Sequence, residues 1–171
     1  ESDSEALFHK YLRDFEKRFG RKSEGIWLAE TAVDLATLEV LADFDIKFTI
    51  LAPRQAKAVR AKEADEWINL DHATVDPRRP YRVALKSGRS ITVFFYDGHV
   101  SQGVAFEGLL NSGPRFAERI IRTLDNSDEV QLAHIATDGE SYGHHHKKGE
   151  MALADCLRYL VATKSREVRV R

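Results

Sequence analysis

The sequence predicts an α/β fold, and three observations carry that reading. Short β-rich runs alternate with helical patterns along the chain. Residues 25–30, 35–44 and 46–52 read as strand, helix and strand, a unit whose two strands are parallel and adjacent. Two apolar runs about a hundred residues apart, Gly25-Ile26-Trp27-Leu28-Ala29-Glu30 and Ala133-His134-Ile135-Ala136-Thr137-Asp138, each end in a carboxylate. An apolar run of this length reads as a buried strand, and a charge at its carboxyl end is hard to explain by packing. In barrel-type α/β proteins that end carries the catalytic residues. Glu30 and Asp138 are therefore expected to face one pocket.

The remaining elements follow in order. Ser2 and Glu5 have capping-box spacing ahead of a helix whose Leu7, Phe8, Tyr11, Leu12, Phe15 and Phe19 share a face, and Gly20 stops it. Asp34 is placed to cap the second helix, with Leu35, Leu38, Leu41 and Phe44 on one side. Pro53 closes the second strand. Residues 55–66 suggest a short helix with a weak apolar face of Ala56, Ala58, Val59 and Ala61. Periodicity then disappears over 69–81, where Asp71, His72, Asp76, Pro77 and Pro80 make a loop long enough to line a binding site. Residues 81–85 and 90–96 flank Lys86-Ser87-Gly88-Arg89, a hairpin signal. Helices are expected around Val100–Leu109, Phe116–Leu124 and Met151–Val161, and a strand over 130–136. The charged tail from Lys164 frays or begins a further strand.

Composition excludes several classes. A chain of 171 residues is one ordinary domain with room for a core. Lys and Arg number 26 against 27 Asp and Glu, a net charge of −1, so no nucleic-acid surface is expected. One cysteine, Cys156, allows no internal disulfide, and its helical apolar setting suggests burial. No apolar stretch is long enough for a membrane span and no signal-peptide pattern is present, which points to the cytoplasm.

The chemistry rests on few residues. Glycoside hydrolysis needs two carboxyl groups flanking the scissile bond, one protonated and one ionised, and Glu30 with Asp138 fit that need. The competing reading makes Glu30 a helix-capping residue and Asp138 the start of a turn with Gly139. The run His144-His145-His146 invites a metal, but no Cys pair or His-Glu-x-x-His pattern accompanies it, so a polar loop near substrate is preferred. Trp27 lies three residues before Glu30; core packing is the default for it and a sugar-stacking platform the alternative. Asp97 and His99 either join the pocket or, for Asp97, cap the helix after Gly98. Arg54 pairs with a carboxylate or is a solvated charge. No phosphate-loop or dinucleotide pattern is present.

Gly25-Ile26-Trp27-Leu28-Ala29-Glu30 with Ala32-Val33-Asp34 resembles the nucleophile motif of glycoside hydrolase family 57. Thr137-Asp138-Gly139-Glu140-Ser141-Tyr142-Gly143-His144 is similar to that family's general-acid motif, and Phe48-Thr49-Ile50-Leu51-Ala52-Pro53 with Gln55 fits a little-characterised subgroup. The resemblance runs from about Gly25 to Met151. It implies part of an incomplete (β/α)7 barrel, mainly parallel with one hairpin, and retaining hydrolysis or transglycosylation of α-glucans. Glu30 is then the nucleophile and Asp138 the acid/base. Glu140, Tyr142, His144 and His145 are then expected to shape the pocket or bond sugar hydroxyls, with Trp27 a stacking platform where it is not core, and no metal or organic cofactor is expected. The family's histidine-rich first strand and second glutamate motif do not precede Glu30, and the βα units are fewer than a closed barrel needs. The chain is therefore expected to be a fragment of a longer enzyme, inactive alone and prone to self-association through exposed barrel edges. Two rival readings remain: a metal-dependent polysaccharide deacetylase and a non-catalytic carbohydrate-binding domain.

Overall fold

The computed structural model describes residues 3–70 and 75–164. The capping box at Ser2, the loop residues Asp71 and His72, and the tail beyond Lys164 lie outside the described residues. The chain forms two compact units, residues 1–51 with 80–94 and residues 52–79 with 95–171.

The first unit is built on a four-stranded sheet in the order β1-β2-β6-β5, with β1 Gly25–Ile26, β2 Phe48–Leu51, β5 Tyr81–Ala84 and β6 Ser90–Phe95. β1 and β2 run parallel, Gly25 opposite Phe48 and Ile26 opposite Thr49, as the strand–helix–strand pattern requires. A Cβ on Gly25 would lie 2.3 Å from the Phe48 ring, so the glycine lets that ring pack directly over the β1 backbone. The crossover is α2, Leu35–Asp43, capped by Asp34, whose carboxylate accepts from the Thr37 N–H and hydroxyl, each at 2.7 Å. β5 and β6 are antiparallel, and the hairpin turns at Gly88 with φ +81°. The turn is held against α2 by Arg89 donating to Asp43 at 2.5 Å and the Ser87 N–H donating to Glu39 at 3.1 Å.

Period-2 burial along β6 puts Ile91 and Val93 inside. Leu38, Leu41, Ile46, Leu85 and Ile91 make the core, and Phe8, Leu12 and Phe44 pack against it. Phe8 and Leu12 come from α1, Asp3–Phe19. Gly20, with φ +64°, ends that helix by donating its N–H to the Glu16 carbonyl.

The second unit has a helical core. It contains α3 Gly98–Phe106, α4 Gly113–Ile121 and α5 Gly149–Lys164. Asp97 caps α3 by accepting from the Val100 N–H at 2.9 Å, and Ser112 caps α4. Val100, Val104, Leu110, Phe116, Ala117, Ala152, Cys156 and Leu160 form its core. Cys156 is buried as expected, and burial pushes its thiol up to about 11.

Two sequence expectations fail in this unit. Residues 55–66 are not a helix. A 3-10 turn ends at Gln55, and β3 Ala58–Val59 pairs antiparallel with β4 Ile68–Asn69, a strand pair inside what periodicity treats as helix and loop. The small side chains there offer a helix almost nothing to bury, so local pairing wins over a marginal helical pattern. Residues 130–136 form no strand either. Their backbone is satisfied by irregular partners: the Leu132 N–H donates to the Arg78 carbonyl, the His134 carbonyl accepts from the Asp97 N–H, and the Ala136 N–H donates to the Ser101 hydroxyl. Nearby ion pairs lock the approach to this segment, Arg78 bridging Asp76 and Asp125 and Arg79 bridging Asp76 and Glu129.

Candidate active site

The candidate residues fall in two groups, Trp27 and Glu30 in the first unit and Asp138, Glu140, Tyr142, His144 and His145 in the second. In the first unit, β1 stops at Ile26, short of the expected strand end at Glu30. Its end is fixed from below: the wholly buried Thr49 hydroxyl donates to the Ile26 carbonyl at 2.8 Å, and the Ser23 hydroxyl donates to the Gly25 carbonyl. Leu28 remains extended and packs on the core. The chain then turns in a 3-10 arrangement over Ala29–Thr31, closed by the Thr31 N–H to the Leu28 carbonyl and the Ala32 N–H to the Ala29 carbonyl.

Inside this turn Glu30 adopts φ 54°, ψ 18°, and Thr31 also has φ 54°. The left-handed region is uncommon for any residue but glycine, and for a β-branched one such as threonine it is a genuine outlier. Thr31 is buried and acts as the anchor, while Glu30 presents its carboxylate to solvent. The competing reading of Glu30 as a cap does not hold, because Asp34 caps α2. Trp27 is 42% exposed, so core packing, its default assignment, is wrong. The strand ends before Trp27, and the indole is left outside the alternation that would have buried it.

In the second unit, Asp138 opens a loop tied at almost every residue. The preceding segment is fixed at Ala136 by the Ser101 hydroxyl and at Ile135 by contact with the helical core. His134, largely buried, bonds the Pro77 carbonyl through Nε2 at 3.0 Å. Burial pulls its pKa below the usual histidine value, while bonds to the Pro77 and Phe95 backbone and the Asp97 charge push the other way. Asp138 is extended and exposed, and its carbonyl accepts from the Ser141 N–H across the 3-10 turn Gly139–Ser141. Ser141 is buried, and Tyr142 packs on the helical core.

The Thr137 and Tyr142 hydroxyls share a hydrogen bond at 2.9 Å that bridges the turn. The Glu140 carbonyl accepts from the His144 and His145 amides, and the Glu140 carboxylate pairs with His145 Nε2 at 3.3 Å. His146 instead turns inward, its Nε2 3.1 Å from the Ala105 carbonyl. The His144 ring packs edge-on against His145, and among the described residues no three His, Cys, Asp or Glu side chains converge as a metal site would need.

Of the remaining candidates, Asp97 is the α3 cap, and His99 and Arg54 are exposed. Sequence reading singled out neither Thr137 nor Ser101. Both act through hydroxyl groups whose partners are fixed by turns and tertiary contact, so no spacing rule announces them.

A parallel β1–β2 pair with an exposed carboxylate shortly past the carboxyl end of β1 is an arrangement that barrel-type α/β proteins share. The model of glycosyl hydrolase family 57 matches residues 9–168, and the chain belongs to that family. Among solved structures, the 4-α-glucanotransferase of Thermococcus litoralis matches with a TM-score of 0.65 at 18% identity, over 91% of this chain and 22% of that one. The fold is therefore an α/β arrangement similar to part of that enzyme's, and the chain spans about a fifth of its length. Among curated proteins none matches this sequence. Among the described residues, no helix is long and apolar enough to cross a membrane.

Proposed function

We propose that this chain is one part of a longer catalytic barrel and supplies both carboxylates of a retaining glycoside hydrolase or transglycosylase acting on α-glucans. Membership of glycosyl hydrolase family 57 and likeness to a 4-α-glucanotransferase support the class. The single observation that carries the site is Glu30: an exposed carboxylate held in left-handed backbone, at the motif position of a nucleophile. Strain of that kind persists only where the surroundings impose it, and it concentrates at functional sites.

In the proposed reaction Glu30 attacks the anomeric carbon as Asp138 donates its proton to the departing glycosidic oxygen. A glycosyl ester on Glu30 results. Asp138, now a carboxylate, takes a proton from water or from an acceptor sugar hydroxyl, whose oxygen displaces Glu30 and restores the starting configuration. Trp27 is exposed and suits stacking against a sugar face, and Glu140, His144 and His145 offer polar groups to sugar hydroxyls. The lone, buried Cys156 suits a cytoplasmic location.

The test is turnover of maltooligosaccharides by the polypeptide carrying this chain. Glu30→Ala and Asp138→Ala should each abolish turnover with the circular dichroism spectrum unchanged, and the first products should keep the α configuration by NMR. Wild-type rates in either variant, or β products, would sink the assignment.

A further inference from the structure

The loop around Asp138 contains a bond that sugar binding does not require. Thr137 and Tyr142 stand on either side of the 3-10 turn Gly139–Ser141, and their hydroxyls meet at 2.9 Å. Both residues are partly buried, and Tyr142 packs on the helical core. The turn is thereby closed twice, once through backbone by the Ser141 N–H on the Asp138 carbonyl and once through side chains by this pair. Asp138 is the exposed residue at the head of that closed ring, with no side-chain cap bond of its own in the turn. The position of its Cα–Cβ bond, from which the carboxylate projects, is set by the backbone, and that backbone is held by the residues that close the ring.

We infer that Thr137 and Tyr142 are a positioning pair for Asp138. The Tyr142 phenol holds the turn and does not serve as a direct sugar ligand. The inference rests on Asp138 being the acid/base. A general acid acts only within hydrogen-bond reach of the oxygen it protonates, and small displacements of such groups cost rate steeply. The two roles for Tyr142 give opposite kinetics. A sugar ligand contributes to binding, so Tyr142→Phe would raise KM while Thr137→Val would not. A positioning pair affects the proton-transfer step, so both variants lower kcat and leave KM alone. Because they break one shared bond, the second substitution adds nothing to the first.

The experiment measures, in the polypeptide carrying this chain, kcat and KM on maltoheptaose for Thr137→Val, Tyr142→Phe, their double variant, Thr137→Ser and Asp138→Asn. Thr137→Val and Tyr142→Phe should each lower kcat about 10-fold with KM within about twofold of wild type. The double variant should match the singles, and Thr137→Ser, which keeps the hydroxyl, should recover wild-type kcat. Additive losses, or a rise in KM confined to Tyr142→Phe, would overturn the pair. So would full activity in both single variants beside an inactive Asp138→Asn, with the acid/base reading left intact. Wild-type turnover by Asp138→Asn would overturn that reading and the inference together. If Thr137→Val does not fold, Tyr142→Phe and Thr137→Ser carry the decision.

Discussion

Helices α4 and α5 approach so closely that a single methyl group should be felt. A Cβ placed on Gly113 would lie 2.3 Å from the Asp155 Cβ, 2.7 Å from the Cys156 nitrogen and 2.8 Å from the Asp155 carbonyl carbon. Ordinary carbon contacts are about 3.5–4.0 Å, so α5 must withdraw by roughly 1 Å or more. Two of the three atoms are backbone, and no rotamer change relieves them. The withdrawal opens the contacts of Phe116, Ala117 and Cys156, all buried to within 1%. Overpacking of this kind costs about 1–3 kcal/mol, slightly offset by the helix propensity alanine gains over glycine. We expect Gly113→Ala to destabilise by about 2 kcal/mol, which for a chain of this size lowers Tm by about 4–8 °C. The control is Gly139→Ala, where the added Cβ meets nothing within 4 Å. It should stay within about 0.5 kcal/mol of wild type. Differential scanning calorimetry on the three proteins decides the matter. A Gly113→Ala midpoint within 1 °C or so of wild type would refute the close-packing argument.

Other predictions concern single groups. Asp97→Ala should cost about 1 kcal/mol through loss of the α3 cap, measurable as a lower urea midpoint with an unchanged slope. His134 has a folded pKa below its unfolded value near 6.5, so the unfolded chain binds the extra proton between the two and stability falls as pH drops below about 6.5. His134→Gln should flatten that part of the stability–pH curve; an unchanged slope would show that another group titrates there. At lower pH, hydrogen bonds from Ser127, followed by the Arg78 bond and charge, hold Asp125 at about 2. Its contribution is present above the unfolded aspartate value near 3.9 and is lost as pH falls toward 2, so Asp125→Asn should remove a component of the acid transition. Glu30→Asn should abolish turnover while leaving thermal stability equal to wild type or higher, since asparagine tolerates left-handed backbone better than glutamate. A large stability loss without loss of turnover would make Glu30 structural.

The legible parts of the fold are those where local chemistry and tertiary demand agree. Asp34 and Asp97 cap the helices they precede, Gly20 ends α1, and the run Lys86-Ser87-Gly88-Arg89 turns the hairpin. The parallel β1–β2 pair follows from a short helix returning the chain to the same sheet edge. The illegible parts are those whose backbone partners lie far away in sequence or in side chains. Residues 130–136 look like a strand by composition, yet Arg78, Asp97 and Ser101 supply their partners. Residues 55–66 carry a helical pattern too weak to compete with the β3–β4 pairing. Trp27 illustrates a further limit, since alternation predicts burial only while the strand lasts, and β1 lasts two residues.

Glu30 marks the place where the two levels disagree most usefully. An unbroken strand through Ala29 and Glu30 is what the apolar run from Gly25 suggests. The chain instead enters left-handed backbone at two successive non-glycine residues, the second a buried threonine. Such residues cost of order 1–3 kcal/mol each, and glycine at either position would remove the strain. The fixed end of β1, the buried Thr31 and the two backbone bonds of the turn oppose that cost and aim a carboxylate outward. A surface acid with only a solubility role needs no such support. The left-handed backbone at Glu30 and Thr31 and the motif over Gly25–Glu30 therefore point to the same carboxylate.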